Sequence, residues 1–303
     1  MYGITQVRKA AESPELVLRE LNRLYYTLQG RQEGNPNGID IFDEDWDNLI
    51  LLDACRYDMF AEANSLPGRL ESRISKASHT SEFLTANFAG RDLRDTVYVT
   101  ASPMYYRNRE RLETTFHDVV NVWRDAGWHD EFRTVLPETM AEFAIEAEKK
   151  YPKKRLIIHY LQPHYPFIGA TGQEHFDLDQ LNFEWEDARQ GTLGISDSVL
   201  WQAFRENLDL ALPHVEALLE VLSGRTVVTA DHGQMIGERS SPVPMVEYGH
   251  PPGVYTDELV EVPWLIHDNG IRKKATADDP VEQQEDISDD AVQDRLESLG
   301  YID

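Results

Sequence analysis

Asp231-His232-Gly233 places a carboxylate, an imidazole and a glycine just after the apolar run Arg225-Thr226-Val227-Val228. Such a run reads as a buried strand. Two metal ligands then project from the strand's carboxyl end, and Gly233 lets the backbone turn closely beneath them. A second acid, Asp53, ends an equivalent run, Asn48-Leu49-Ile50-Leu51-Leu52, far earlier in the chain. In open α/β sheets, sites form at the carboxyl ends of strands. Asp53, Asp231 and His232 are therefore three candidate ligands of one divalent cation such as Zn, Mn or Mg. Plainer uses exist. Asp53 could cap a helix, and Asp231-His232 could form a turn with a satisfied histidine.

A metal centre of this kind calls for a nucleophile. Hydroxyls cluster at Ser75, Ser78, Thr80 and Ser81, just before the helical pattern of residues 82–88. A hydroxyl at a helix N-terminus lies near unpaired backbone N–H groups and the positive end of the helix dipole. Next to a divalent ion, its pKa falls and it can attack near neutral pH. The alternative is an ordinary cap, because Ser or Thr followed by Glu82 makes a capping box.

These groups need a sheet to hold them. Short apolar runs predict strands at 48–53, 96–101, 155–161, 225–231 and 262–267. Helical spacing predicts helices at 14–29, 82–88, 115–126, 137–151, 196–222 and 288–299. The alternation implies an α/β fold, a three-layer sandwich with a mostly parallel central sheet. Residues 30–37 read as a loop, and the polar, acidic and aromatic stretch 171–194 as an insertion or lid near the site. The expected organisation is an N-terminal helix and loop (1–45), a catalytic domain (46–267), and an acidic tail with a short helix (268–303).

Charge narrows the partners. The chain carries 54 Asp and Glu against 29 Lys and Arg, a net charge of -25. Acids spread along the whole chain and scarce lysine suit a protein that works at high salt, where self-repulsion is screened within a few Å. Few side chains can neutralise phosphates, which argues against nucleic acid. The single cysteine, Cys55, excludes an internal disulfide and a cysteine metal cluster. No run is apolar enough for a signal-peptide core or a membrane span, so the expected location is the cytoplasm.

With these residues in view, the chain resembles the sulfatase-like branch of the alkaline phosphatase superfamily over residues 46–267. Asp53-Ala54-Cys55-Arg56-Tyr57-Asp58 resembles its Asp-Asp-x-Arg-x-Asp motif, with Ala54 where many sulfatases carry a second acid. Residues 75–90 resemble the nucleophile segment, in which Thr80 takes the nucleophile position and Ser78 is its neighbour. Asp231-His232-Gly233 resembles the second ligand motif. Tyr248-Gly249-His250 falls where sulfatases carry Tyr-Gly-Lys, and Pro163-His164-Tyr165-Pro166-Phe167 resembles Pro-His-x-Pro-Phe.

The resemblance implies a metal-dependent hydrolase or transferase of phosphate or sulfate esters, small or carried on a glycan or lipid. It assigns Thr80 as nucleophile and fourth ligand, and His164 and His250 as contacts to the anion or leaving oxygen. One ion is expected, Mn, Zn, Mg or Ca. A second would need an Asp-x-x-x-His pair, and Asp177 and Asp179 near His175 lie in the insertion instead. A threonine cannot be converted to formylglycine, which favours phosphoryl over sulfate chemistry. The rival expectation is an idle relative that binds a glycan, lipid headgroup or partner protein.

Overall fold

The computed structural model describes residues 14–28, 34–124, 126–176, 185–281 and 288–301. Its frame is a seven-stranded sheet built from β1 (Asn48–Leu52), β2 (Arg69–Ile74), β3 (Asp92–Thr100), β4 (Thr115–Asn121), β5 (Arg155–Tyr160), β6 (Gly224–Thr229) and β9 (Glu261–Asn269). The strand order is β2-β9-β6-β1-β5-β3-β4. Five of them, from β6 through β1, β5 and β3 to β4, pair in parallel. β9 runs antiparallel to β6, and β2 antiparallel to β9. A separate hairpin, β7 (Met235–Arg239) with β8 (Val246–Gly249), follows the Asp231-His232-Gly233 turn.

Successive strand residues point to opposite faces, yet all five residues of β1 are buried. Both faces of the central sheet are therefore covered, which is the expected three-layer α/β arrangement. The long helix Asp197–Val221 packs on the helix Pro137–Lys150, which also packs on β3 and β5. The main core includes Leu49, Ile50, Ile157, Ile158, Val227 and Val228 from the three middle strands.

Two strands of the seven-stranded sheet differ from the sequence expectation. A helix is expected over residues 115–126, but 115–121 form the edge strand β4. Thr115, Phe116, Val119 and Val120 are β-branched or aromatic and fit a half-buried pleated surface. β2 gives no apolar signal because it is the opposite edge, where Arg69, Glu71 and Arg73 flank only Leu70 and Ile74. Helices Ala170–His175 and Trp185–Gln190 occupy the expected insertion. Asp177 and Asp179 lie outside the described residues, as do 30–33 of the expected loop and 282–287 of the tail. Among the described residues no helix is long and apolar enough to cross a membrane.

Candidate metal centre and active site

The register places the two acids side by side. Leu51 of β1 pairs with Thr229 of β6, so Asp53 and Asp231 each lie two residues beyond that pair, on the same sheet edge. One ligand atom each from Asp53, Asp231 and His232 lies within 4.8 Å of the others. His232 Nε2 is 3.3 Å from Asp231 Oδ2 and 3.7 Å from Asp53 Oδ1. Thr80 Oγ1 is 3.1 Å from the same Nε2. All four side chains are 0% exposed.

The local backbone aims each ligand. Ala54 adopts φ 59°, in the left-handed region. That conformation costs a residue with a Cβ roughly 1–2 kcal/mol. The Ala54 N–H donates to Asp231 Oδ1 at 3.1 Å, and the His232 N–H donates to the same oxygen at 2.9 Å. Asp231 Oδ2 is left pointing inward. Gly233 O accepts from His232 Nδ1 at 2.8 Å, which fixes the tautomer and leaves Nε2 unprotonated, an acceptor for the Thr80 hydroxyl. Gly233 is required because a Cβ there would meet Glu258 O at 2.1 Å.

Thr80 opens the helix Thr80–Phe88, but it is not the cap. His79 caps, its Nδ1 accepting from the Ser81 N–H at 3.1 Å. Ser78 is committed elsewhere. Its hydroxyl donates to Pro251 O and accepts from Gly253 N, each at 3.0 Å. Of the two candidate nucleophiles, the fold brings only Thr80 to the ligands.

The donor set fits a cation. Four acceptor atoms converge: Asp53 Oδ1, Asp231 Oδ2, His232 Nε2 and Thr80 Oγ1. The Thr80 hydroxyl brings the one hydrogen among them, and both carboxylate oxygens are buried without a hydrogen-bond partner. Unpaired buried carboxylates are costly, so such atoms call for a proton or a metal. Burial raises the pKa of both acids, and Asp231 pushes that of Asp53 up further. A divalent ion would remove that repulsion.

Around this group stand more imidazoles. The His250 ring lies 4.9 Å from that of His232 and 5.1 Å from that of His164. His250 Nδ1 bonds Gln234 Oε1 at 2.9 Å, and His164 Nδ1 bonds Tyr165 O at 2.7 Å. Both rings thus turn a bare Nε2 outward from those bonds. The β7–β8 hairpin returns the chain from His232 to His250. Trp185 of the insertion packs near His250, with ring centroids 6.4 Å apart. His159 Nε2 stands 3.7 Å from Asp231 Oδ2.

No protein-family profile and no curated protein matches this chain. Similar solved structures do exist. The chain is similar to the lipooligosaccharide phosphoethanolamine transferase EptA from Neisseria meningitidis, at TM-score 0.45 and 12% identity, over 72% of this chain and 47% of that one. It is similar to the lipoteichoic acid synthase LtaP from Listeria monocytogenes, at TM-score 0.44 and 10% identity, over 75% and 66%. It is also similar to a 2-O GAG sulfatase, at TM-score 0.41 and 13% identity, over 77% and 65%. The chain spans less than two thirds of the length of each.

Arg56, the arginine of the motif that begins at Asp53, is paired. Its Nε is 2.9 Å from Asp58 Oδ1, and Nη1 bonds Glu238 and Gln234 O. Cys55 is fully buried, and burial pushes its thiol well above the ordinary range. Sequence reasoning missed Tyr301, whose hydroxyl donates to Asp53 Oδ2 and whose ring stacks on His164 at 5.3 Å.

Five of the chain's ten histidines stand at this edge, His159, His164, His232 and His250 buried and His79 half-buried, and desolvation holds each imidazole neutral. It lowers His79 to about 3 and His159, His164 and His232 to about 4, and lowers His250 as well. In the unfolded chain the same groups titrate near 6.5. Between those values the unfolded chain binds more protons, so this stability is complete above about pH 6.5 and is lost as pH falls towards 4. Asp53 and Asp231, with raised pKa values, act in the opposite sense, but five imidazoles outnumber two carboxylates. The melting temperature of metal-stripped protein should therefore drop between pH 6.5 and 4. A flat profile across that window would refute the neutral histidine cluster.

Proposed function

We propose that the chain is a metal-dependent hydrolase or transferase of phosphate or sulfate esters, in the sulfatase-like branch of the alkaline phosphatase superfamily, with Thr80 as nucleophile. The observation that carries this reading is the position of Thr80 Oγ1, at a helix N-terminus and 3.1 Å from His232 Nε2, among unpartnered oxygens of Asp53 and Asp231. Asp53, Asp231, His232 and Thr80 would hold the ion. When bound, it lowers the pKa of the Thr80 hydroxyl and neutralises the ester's negative charge.

The chain's own groups do the rest. Thr80 gives up its hydroxyl proton to solvent, its Oγ1 forms the new bond to phosphorus or sulfur, and the bond to the ester oxygen breaks. His164 and His250 line the approach with bare Nε2 atoms. An arriving anion favours their charged forms. A proton taken up on His250 Nε2 can then pass to the leaving oxygen, while Gln234 holds Nδ1 and the ring. Water or an acceptor alcohol would next displace the group from Thr80. Phosphate esters are the favoured substrates, since threonine supplies no formylglycine. The acidic surface supports a working environment of high salt, with the cytoplasm as the proposed location.

The test is a panel of phosphomonoesters, phosphodiesters and sulfate esters, each assayed with Mn, Mg, Zn and Ca at molar salt. Turnover that needs an added ion and is lost with chelator supports the reading. No ester turned over with any ion would overturn it.

A further inference from the structure

The two acidic ligands are positioned by different means. Asp231 is held by its neighbours, with Oδ1 accepting the Ala54 and His232 N–H groups and Oδ2 left over. Asp53 shows the same division, one oxygen engaged and one bare. Its Oδ2 accepts from the Tyr301 hydroxyl, 248 residues along the chain, while Oδ1 has no partner.

Several features of the C-terminal segment build that contact. The helix Asp289–Ser298 buries Val292 and Leu296, and with Leu299 these belong to the main core. At its end the Tyr301 N–H donates to Leu296 O, and the Gly300 N–H donates to Glu297 O. Gly300 sits at φ 70°. Together these make a Schellman turn, which reverses the chain at the helix terminus. The reversal carries Tyr301 to the sheet edge, where its ring lies at 17° to His164 with centroids 5.3 Å apart.

We propose that Tyr301 is a positioning residue of the metal centre. Its O–H engages Asp53 Oδ2, confines Asp53 to a single ligand oxygen, and thereby ties metal binding to docking of the C-terminal helix. The inference rests on the metal-centre reading above. Asp53 held in this way presents Oδ1 without reorganisation and leaves coordination positions open for substrate. By linkage, an ion that prefers the held carboxylate must also favour the docked helix, and to the same extent.

The experiment compares full-length wild type, Tyr301→Phe and Tyr301→Ala at molar salt. Binding of Mn2+ or Zn2+ to metal-stripped protein is measured by calorimetry, and melting of the metal-free proteins reports folding. Phe keeps the ring on His164 and removes only the hydroxyl. Both variants are expected to bind the ion about 10- to 100-fold more weakly, the usual effect of losing a group that orients a ligand. Amide exchange in residues 289–301 is expected to slow on metal binding in wild type and to respond less in Tyr301→Phe. Wild-type affinity in Tyr301→Phe overturns the proposal, whether Tyr301→Ala is weakened by loss of the ring or not. So does faster turnover with unchanged affinity, which would make the tail a plug over the site. Failure of wild type itself to bind either ion overturns the metal centre and this inference together. Wild-type binding alongside an unaffected Phe variant overturns this inference alone.

Discussion

Thr80→Ala is expected to cut ester turnover by on the order of 10^4-fold or more, the scale on which loss of a covalent nucleophile acts. Divalent-ion binding should survive. Three of the four converging donors, Asp53, Asp231 and His232, remain, and a neutral hydroxyl is the weakest of the set. The fold should survive as well. Thr80 does not cap its helix, a task that falls to His79, so its hydroxyl is not needed to start the element. Thr80→Ser is the matched control. It keeps an oxygen at the first helical position and should retain measurable turnover. Assays of both variants with a common ester and ion, alongside calorimetry, check the point. Full activity in Thr80→Ala would place the nucleophile elsewhere.

The second large effect concerns Asp231→Asn. Asparagine can keep Oδ1 on the Ala54 and His232 N–H groups. Its amide nitrogen would then replace Oδ2, 3.3 Å from His232 Nε2, and can donate a hydrogen bond there in place of the Thr80 hydroxyl. Ion binding and turnover should both be lost. The metal-free variant, however, should melt higher than metal-free wild type at neutral pH. Wild type must bury two carboxylates whose pKa values burial raises, with Asp231 pushing Asp53 up further, and the substitution removes one of those charges. Added Mn2+ or Zn2+ should raise the melting temperature of wild type and leave that of Asp231→Asn unchanged. A lower metal-free melting temperature in the variant would mean that the carboxylate stabilises the fold in its own right, and that its burial is not a cost borne for the ion.

Much of the sheet can be read from the chain because its middle strands are buried on both faces. The runs at 48–52, 155–160 and 224–229 are apolar for that reason, and an acid at the end of such a run stands out. The edges are harder to read. β2 is half charged because an edge strand meets solvent, and β4 passes for a helix because its apolar residues do not alternate cleanly. Asp53, Asp231 and His232 stand at strand ends, which local sequence marks well, whereas Thr80, His164 and His250 are singled out by the family resemblance. The task of capping is not legible in this way. His79 takes it, and so frees Thr80.

Tyr301 shows a different limit. Leu299-Gly300 after an amphipathic run signals a helix end with a chain reversal. What lies opposite that reversal depends on how the helix docks, and no local pattern encodes it. The same holds for Arg56. Its motif position suggests an anion contact or Asp58, while the hairpin that follows Gly233 brings Glu238 to it as well.

If Asp53, Asp231, His232 and Thr80 form one metal centre, the protein must bind a divalent ion through them. The most direct measurement is a calorimetric titration of metal-stripped, full-length wild type with Mn2+ and with Zn2+ at molar salt and neutral pH. Saturable binding of one ion per chain is expected, abolished in Asp231→Asn. No binding of either ion by folded wild-type protein, or equal binding by Asp231→Asn, would contradict a metal centre at this sheet edge.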